Sequence, residues 1–258
     1  MKIFILCGGF GSRLDHEGVI KAKPMIKIGK KPMISHIIEN FIDQGFTEFV
    51  LCLGYKHNSI RDFFLIENKK NIQSIKISNN LTSIKIKNKN VIFKIDLINT
   101  GLNSGTGGRI MKAYNKLKLS EDIIMTYGDG LSDVPIKKLI KFHYNNKSEV
   151  TLTAVRPKER YGVLTIKNKK VTYFDNENKK SNVYINGGFF IISKNALKEI
   201  KNKDTYWEKE PLIHLKNKKK LFAYKHEGFW KSLDTLKDKN EFNKLFKKNK
   251  DLWKVKKR

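Results

Sequence analysis

Residues 3–14 read Ile3-Phe4-Ile5-Leu6-Cys7-Gly8-Gly9-Phe10-Gly11-Ser12-Arg13-Leu14, and Lys23-Pro24-Met25 follows. The run 3–6 is apolar, rich in β-branched and aromatic residues, and ends at glycines, which is typical of a buried strand in a parallel sheet. Glycines after a strand let the backbone approach a ligand, and consecutive amide groups there form an anion-binding concavity. With the hydroxyl of Ser12 and the charges of Arg13 and Lys23, the loop suits a phosphate chain.

The loop differs from two common phosphate-binding motifs. It has neither the Gly-x-x-x-x-Gly-Lys-Ser/Thr spacing nor the Gly-x-Gly-x-x-Gly spacing. On its glycines alone, a tight turn without a ligand explains the pattern as well as a phosphate site does. Arg13 and the Lys-x-Lys-Pro-Met sequence at 21–25 favour phosphate.

The composition allows several classes of protein. The chain has 258 residues, 40% of them hydrophobic, which is enough for one large α/β domain or two small ones. Its formal net charge is +28, and only six of its 53 basic residues are arginine. A basic face attracts nucleic acid. However, the lysines are scattered and rarely alternate with aromatic residues, and an AT-rich genome also encodes abundant Lys, Asn and Ile, so we expect no nucleic-acid partner.

Two features bear on the cellular setting. Cys7 and Cys52 lie at or near the ends of apolar runs, and two isolated thiols make neither a disulfide framework nor a zinc pattern. We expect both to be buried and reduced, which fits the cytoplasm. The run 3–6 is too short for a signal peptide, and no stretch of 18 apolar residues exists. We therefore expect a cytoplasmic protein with no membrane partner.

Strand-like and helix-like segments alternate along the chain. Amphipathic or charged helices are predicted at 33–43, 57–64, 134–146 and 205–215. Two more are predicted with one bound each: a helix that begins at 106 and a charged C-terminal helix that ends near 248. Strands are predicted at 3–6, 49–53, 122–126, 150–155, 184–192 and 221–224, with a hairpin at 161–166 and 171–174. This alternation predicts a single α/β domain over residues 1–258, with a mainly parallel sheet flanked by helices.

Residues 68–99 have a different pattern of apolar and polar residues. Apolar and polar residues mostly alternate there, with turn residues between the runs, which predicts a protruding β-ribbon outside the main sheet. Such an arm is either a contact between subunits or an exposed hairpin. We expect a homo-oligomer.

Two further loops carry candidate chemistry. The segment 99–109 is rich in glycine and hydroxyl residues and opens a helix, where anions bind favourably. Arg109 lies in the first turn of this helix, where its charge opposes the helix dipole, so we expect a ligand to compensate it. Asp129 follows a predicted strand, at the edge where open α/β sheets bind ligands, although an Asp-Gly turn is also common without a ligand.

These motifs resemble those of the glucose-1-phosphate cytidylyltransferases, a family of sugar-phosphate nucleotidyltransferases with a Rossmann-like α/β fold. The resemblance covers nearly the whole chain in the same order and with matching spacing. It is carried by residues 8–14, 23–25, 52–55, 106–109, 126–130, 153–157, 185–190, 207–212, 226–230 and 233–236.

The resemblance implies CTP and a sugar 1-phosphate as small-molecule substrates and Mg²⁺ as cofactor. Implied catalytic residues are Arg13, Lys23 and Asp129, and the implied metal ligands are Asp129 and Asp234. Implied nucleotide-binding residues are Leu6, Cys7, Gly8, Gly9, Phe10, Gly11, Ser12, Arg13, Lys23, Ser104, Thr106, Arg109 and Gly128. Asn186, Glu208 and Glu210 match family positions near the sugar, and Tyr127 and Lys179 are further expected acceptor-binding residues.

One departure from the family pattern concerns the acceptor. The family has Glu-Lys-Pro, whose lysine contacts the sugar phosphate, where this chain has Asn176-Glu177-Asn178. Lys179 or Lys180 can substitute, because a long flexible ammonium reaches from a neighbouring position. Otherwise the acceptor is another phosphorylated compound. Milder departures are Ser12 for Thr, Ala22 for Pro and Asn99 for Asp. An inactive, regulatory relative is a third reading, but both metal aspartates are present.

Overall fold

The computed structural model describes residues 1–9, 22–88, 90–156, 163–167, 170–175 and 183–255. Five of the predicted site residues lie outside the described residues: Phe10, Gly11, Ser12, Arg13 and Lys179.

Strands and helices alternate along the described chain, broadly as the sequence predicts. The strands are β1 (Ile3–Cys7), β2 (Lys27–Ile28), β3 (Lys31–Pro32), β4 (Glu48–Leu53), β5 (Ile72–Ser78), β6 (Leu81–Asn88), β7 (Val91–Asn99), β8 (Ile123–Tyr127), β9 (Gly130–Ser132), β10 (Val150–Val155), β11 (Val163–Lys167), β12 (Lys170–Asp175), β13 (Ile185–Ile192), β14 (Leu221–His226) and β15 (Trp230–Ser232). The α-helices are α1 (Met33–Asp43), α2 (His57–Asp62), α3 (Thr106–Lys116), α4 (Ile136–Asn145), α5 (Glu210–Asn217) and α6 (Leu236–Lys248).

One large sheet organises the described part of the chain. Its nine strands run in the order β14-β10-β13-β8-β1-β4-β7-β6-β5. The pairs of β1 with β4 and β8, of β4 with β7, and of β10 with β14 are parallel. The expected mainly parallel sheet flanked by helices is confirmed. The carboxyl ends of these parallel strands meet at one edge, where open α/β sheets bind ligands.

The core lies on both faces of this sheet. Along β1, Ile3, Ile5 and Cys7 pack on the face that carries α1, whereas Phe4 and Leu6 pack on the face that carries α3. A strand buried on both sides reads as a continuous apolar run, which is why the predicted strand 3–6 is correct. Neither of the free cysteines, Cys7 and Cys52, is exposed, as expected.

The segment 68–99 differs from the prediction. Its last strand, β7, pairs in parallel with β4 inside the main sheet, and β6 and β5 extend that sheet by antiparallel pairing. Ile84, Ile86 and Ile95 are buried, because one face of these strands covers the core. Alternation indicates a half-buried strand, and it does not reveal whether the strand joins the main sheet. Ile75 and Ile77 on the edge strand β5 are exposed, and a subunit contact there stays a prediction.

Two other local differences matter for the site. The predicted helix 205–215 begins only at Glu210, because residues 203–207 hydrogen-bond to the start of α3. A two-stranded sheet of β9 and β15, which local periodicity does not indicate, joins the loop after β8 to the loop before α6. The predicted hairpin is confirmed as β11 paired with β12. Within the described segments, we find no helix with the length and apolar character of a membrane span.

Candidate active site

A cavity of about 230 Å³ opens at the carboxyl edge of the parallel strands. It is lined by Leu6, Cys7, Gly8, Gly9, Lys23, Pro24, Ser104, Thr106, Arg109, Tyr127, Gly128, Asp129 and Tyr206. All nine described residues that were expected to bind the nucleotide are among them. The two loops that follow β1 and β8 and the loop before α3 thus come together around one space.

Arg109 ties two of these loops, the one after β1 and the one before α3, to the end of β4. The residue is 5% exposed, and its guanidinium donates hydrogen bonds to main-chain oxygens at the ends of β1, β4 and β7. The partners are Gly8 O at 3.1 Å, Leu53 O at 3.3 Å, Gly101 O at 2.7 Å, Leu102 O at 2.9 Å and Thr100 Oγ1 at 2.9 Å. Burial lowers the pKa of Arg109.

The chain itself therefore compensates the charge of Arg109. The sequence left a ligand as the candidate partner, but carbonyl oxygens take up the guanidinium hydrogens. A β-carbon at Gly8 or Gly54 would lie 2.3 Å from Nη1 of Arg109, so the guanidinium occupies space that only glycine leaves free. Arg109 lines the cavity as expected, and it also fixes the glycine turn after β1.

Close packing also explains why the positions before and within α3 are glycines. A β-carbon at Gly105, Gly107 or Gly108 would lie 2.0 to 2.9 Å from main-chain oxygens of residues 203–205. Gly105 N donates to Lys203 O at 2.8 Å, and Gly108 N donates to Thr205 O at 3.2 Å. Amide groups that were expected to face an anion thus bind the chain's own carbonyls, as open helix termini require. The second glycine loop is a docking site for segment 203–207.

The other wall of the cavity carries an ion-pair triad. Lys23 Nζ donates to Asp129 Oδ2 at 2.9 Å and to Asp234 Oδ1 at 2.8 Å. Burial alone would lower the pKa of Lys23, but the two carboxylates outweigh it and raise that pKa. Burial would likewise raise the pKa of Asp234, and the hydrogen bond from Lys23 turns the net shift downward. Asp234 is thus stabilised as a carboxylate, and both acids pair with one positive charge.

The small sheet of β9 and β15 explains how two distant acids meet. Asp129 precedes β9 and Asp234 follows β15, and Gly130 is paired with Ser232. Leu233 N also donates to Asp129 O at 2.7 Å, and Ser232 Oγ donates to Asp234 Oδ2 at 2.9 Å. The two carboxylates predicted to bind metal are therefore brought together by backbone pairing.

These acids fit a divalent cation that takes its other ligands from elsewhere. Among the described residues, no group of three or more His, Cys, Asp or Glu is arranged to hold a metal. Two carboxylate oxygens nevertheless converge on one cation, the Lys23 ammonium. Few protein carboxylates, completed by water and phosphate oxygens, are the ligand set that Mg²⁺ prefers.

Three of the expected acceptor-binding residues also meet. Tyr127 Oη donates to Glu208 Oε1, and Thr106 Oγ1 donates to Glu208 Oε2 at 2.6 Å. Burial, and after it the Glu208 carboxylate, raises the pKa of Tyr127, which keeps the phenol protonated as a donor. The Asn186 side chain reaches the same phenol. Glu208 thus links Thr106 at the start of α3 to Tyr127 at the end of β8, whereas Glu210 is exposed at the start of α5.

Tyr206 is a lining residue that the sequence did not single out. It lies in the segment 203–207, of which residues 205–207 were expected to begin a helix. Its place in the cavity depends on the docking of that segment onto α3, so no local pattern in the sequence could have identified it.

Comparisons with known proteins show a family and full-length relatives for this chain. The family model described as Nucleotidyl transferase matches residues 2–250. The chain is 37% identical to glucose-1-phosphate cytidylyltransferase of Salmonella typhimurium, with 99% of each chain covered. It is 34% identical to the probable glucose-1-phosphate cytidylyltransferase of Bacillus subtilis, with 99% of this chain and 100% of the relative covered.

A solved structure has the same fold. HddC from Yersinia pseudotuberculosis, complexed with GMP-PN, superposes with a TM-score of 0.68 over 95% of this chain and 99% of that chain. The two sequences are 24% identical, so this likeness concerns the fold alone.

Proposed function

This chain belongs to the nucleotidyl transferase family as a sugar-phosphate nucleotidyltransferase, and we propose that it makes CDP-glucose and pyrophosphate from CTP and glucose 1-phosphate. The names of full-length relatives at 34% and 37% identity support cytidylyl transfer. The observation that carries the proposal is the convergence of Asp129 and Asp234 on the Lys23 ammonium beside the glycine turn after β1.

The proposed reaction needs no general base. An oxygen of the acceptor phosphate, already ionised, forms a bond to the α-phosphorus of CTP. The bond from that phosphorus to the oxygen bridging the β-phosphate breaks, and pyrophosphate leaves with the electron pair. In such a displacement, catalysis consists of positioning the two phosphates in line and neutralising their charge.

Two parts of the cavity supply that neutralisation. Asp129 and Asp234 would hold Mg²⁺, which when bound offsets negative charge on phosphate oxygens. Lys23 belongs to the same wall, so its ammonium can donate to phosphate oxygens of CTP once the carboxylates have another cation. Arg13 is proposed for the same purpose from the family resemblance. The Gly8–Gly9 turn, held by Arg109, places backbone next to the phosphates.

The acceptor end is proposed for Tyr127, Asn186 and Glu208. Each oxygen of Glu208 accepts one hydrogen bond from the chain. A carboxylate offers about four lone-pair positions, so Glu208 can also accept from sugar hydroxyls. Glu210 and Lys179 complete the proposed acceptor set.

A second acceptor class deserves testing, because the sequence departs from the family there. Asn176-Glu177-Asn178 replaces the Glu-Lys-Pro motif. A cytidylyltransferase for another phosphorylated acceptor, sugar or otherwise, would keep the CTP site and differ at this segment.

The deciding experiment measures pyrophosphate release with Mg²⁺. Each of CTP, UTP, dTTP and GTP is paired with glucose 1-phosphate, mannose 1-phosphate, galactose 1-phosphate and non-sugar phosphates, and the Asp129→Asn variant serves as control. We expect the highest kcat/KM with CTP and glucose 1-phosphate. A higher value with another acceptor would establish the second function. No release above the control with any pair would overturn both.

A further inference from the structure

One aromatic side chain in the cavity wall has no part in the functions proposed so far. Tyr206 is 50% exposed, while its neighbour Trp207 is fully buried. It contributes to the lining of the cavity together with Ser104, Thr106 and Arg109. A large aromatic ring that is left half exposed in a cavity wall offers apolar surface to a ligand.

The backbone around Tyr206 is fixed on both sides. Thr205 O accepts a hydrogen bond from Gly108 N at 3.2 Å, and Trp207 N donates to Thr106 Oγ1 at 2.8 Å. Tyr206 O in turn accepts from Lys209 N at 3.2 Å. Because the start of α3 anchors the residues next to it, the ring is presented to the cavity from a rigid support.

The surroundings of Tyr206 differ from those of the ion-pair triad. Lys23 and Asp129 are charged residues in the wall of the cavity. In the proposed reaction the phosphates bind next to them. Ser104 and Thr106, near Tyr206, are neutral hydroxyl residues. The remaining part of CTP is a flat pyrimidine base on a ribose. The ring of Tyr206 and the hydroxyls of Ser104 and Thr106 have the chemistry to hold it. The charge of Arg109, which also lines the cavity, is taken up by main-chain oxygens.

The ring also carries a cation. Lys209 Nζ lies 4.9 Å from the ring centroid of Tyr206, within cation–π distance. Tyr206 lines the cavity despite this contact. A base that packs against the ring would therefore add to an arrangement that already orients the side chain.

We infer that Tyr206 is a nucleoside-binding residue, whose ring packs against the base of the bound nucleoside triphosphate. The inference rests on the proposed function and extends it, because it assigns the nucleoside end of the cavity. Stacking on an aromatic ring serves any base, since every base has a π-face. Tyr206 thus contributes affinity, and the choice among bases belongs to polar contacts.

The test compares two ligands on four proteins. Isothermal titration measures binding of CTP and of inorganic tripolyphosphate to the wild type, to Tyr206→Ala and to Tyr206→Phe. Ile213→Ala is the control, because Ile213 is 52% exposed on α5 and is not among the residues lining the cavity. We expect Tyr206→Ala to weaken CTP binding roughly 5- to 150-fold, the range for loss of one stacked base. Tripolyphosphate binding should not change, and Tyr206→Phe should bind CTP nearly as well as the wild type.

Steady-state kinetics gives a second readout. Tyr206→Ala should raise KM for CTP and leave kcat close to that of the wild type, as expected for a contact made equally in the ground and transition states. Unchanged CTP binding by Tyr206→Ala, in a protein whose wild type binds CTP, would overturn this inference alone. Equal weakening of CTP and tripolyphosphate would overturn it too, by showing general damage to the site. A wild type that binds tripolyphosphate but not CTP would overturn the proposed function with it.

Discussion

The ammonium nitrogen of Lys23 lies 2.9 Å from a carboxylate oxygen of Asp129. Both residues line the cavity at the carboxyl edge of the parallel strands. The same nitrogen lies 2.8 Å from Asp234. Lys23 therefore occupies the position of a cation between two acids that are distant in sequence. An internal cation in this place stabilises the pair of carboxylates, and it also competes with any metal ion for them.

Replacing Asp129 with Asn tests the acid itself. Asp129→Asn removes one negative charge but keeps the side-chain size, and the Asp129 carbonyl still accepts the hydrogen bond from Leu233 N. We expect kcat to fall by about 100-fold or more, the scale for losing one electrostatic contact to a reacting group. The melting temperature should stay near that of the wild type. A variant with near-normal turnover at saturating Mg²⁺ would remove Asp129 from the mechanism.

Replacing Lys23 with Met should have two effects of opposite sign. Without the ammonium, Asp129 and Asp234 lack their internal cation, so Mn²⁺ should bind more tightly to the nucleotide-free protein. At the same time kcat/KM for CTP should fall. The decrease should correspond to a loss of about 1.5–3 kcal/mol in transition-state stabilisation, the range for a hydrogen bond to a charged group. Titration calorimetry measures the first effect, and steady-state kinetics measures the second.

The control for this variant is Lys31→Met. Lys31 also pairs with a carboxylate, Glu39 at 2.6 Å, but its side chain is 55% exposed and contributes no lining to the cavity. Both quantities should stay at wild-type values in the control. Weaker Mn²⁺ binding in Lys23→Met than in the wild type would contradict competition between the lysine and the metal.

The sequence predicts this site in part. Short-range patterns identify β1, α1, α3 and β8, because burial of one face or both repeats within a few residues. Since parallel strands end at one edge, the loops after β1 and β8 were expected to lie together, and they do. The family motifs supplied Asp234, which no local pattern marks.

What the sequence does not reveal are contacts between distant segments. The strands β9 and β15 have three residues each, too few to show a period, yet their pairing joins Asp129 to Asp234. The docking of residues 203–205 onto α3 explains three glycines and places Tyr206 in the cavity. The partners of Arg109 come from three strand ends. Each of these depends on long-range geometry that composition and spacing leave open.

Replacing Arg109 with Lys tests whether the guanidinium organises the loops. A lysine keeps the charge but has one nitrogen in place of a planar fork, so it cannot reach Gly8 O, Leu53 O and Gly101 O together. We expect a loss of about 2–4 kcal/mol in the free energy of unfolding, a few net hydrogen bonds to a charged group, and a higher KM for CTP. Urea denaturation and kinetics measure the two. Arg61→Lys, at an exposed arginine, is the control, and wild-type stability in Arg109→Lys would contradict the role.

Two neighbouring glycines offer a test of the same contact from the other side. A β-carbon at Gly8 would lie 2.3 Å from Nη1 of Arg109, whereas a β-carbon at Gly9 has no described atom within 4 Å. Neither glycine has a left-handed φ, so space alone distinguishes them. Gly8→Ala should cost about 1–3 kcal/mol of unfolding free energy through overpacking, and Gly9→Ala should change it by less than about 0.5 kcal/mol.

Urea denaturation of both variants measures this difference, and the double variant Gly8→Ala with Arg109→Met tests its cause. If the guanidinium is what excludes the methyl group, Gly8→Ala should cost much less in the Arg109→Met background than in the wild type, because contacting residues are not additive. An equal cost in both backgrounds would show that another group fills the space beside Gly8. Arg109 would then still bind Gly8 O, but it would not be the reason that position 8 requires glycine.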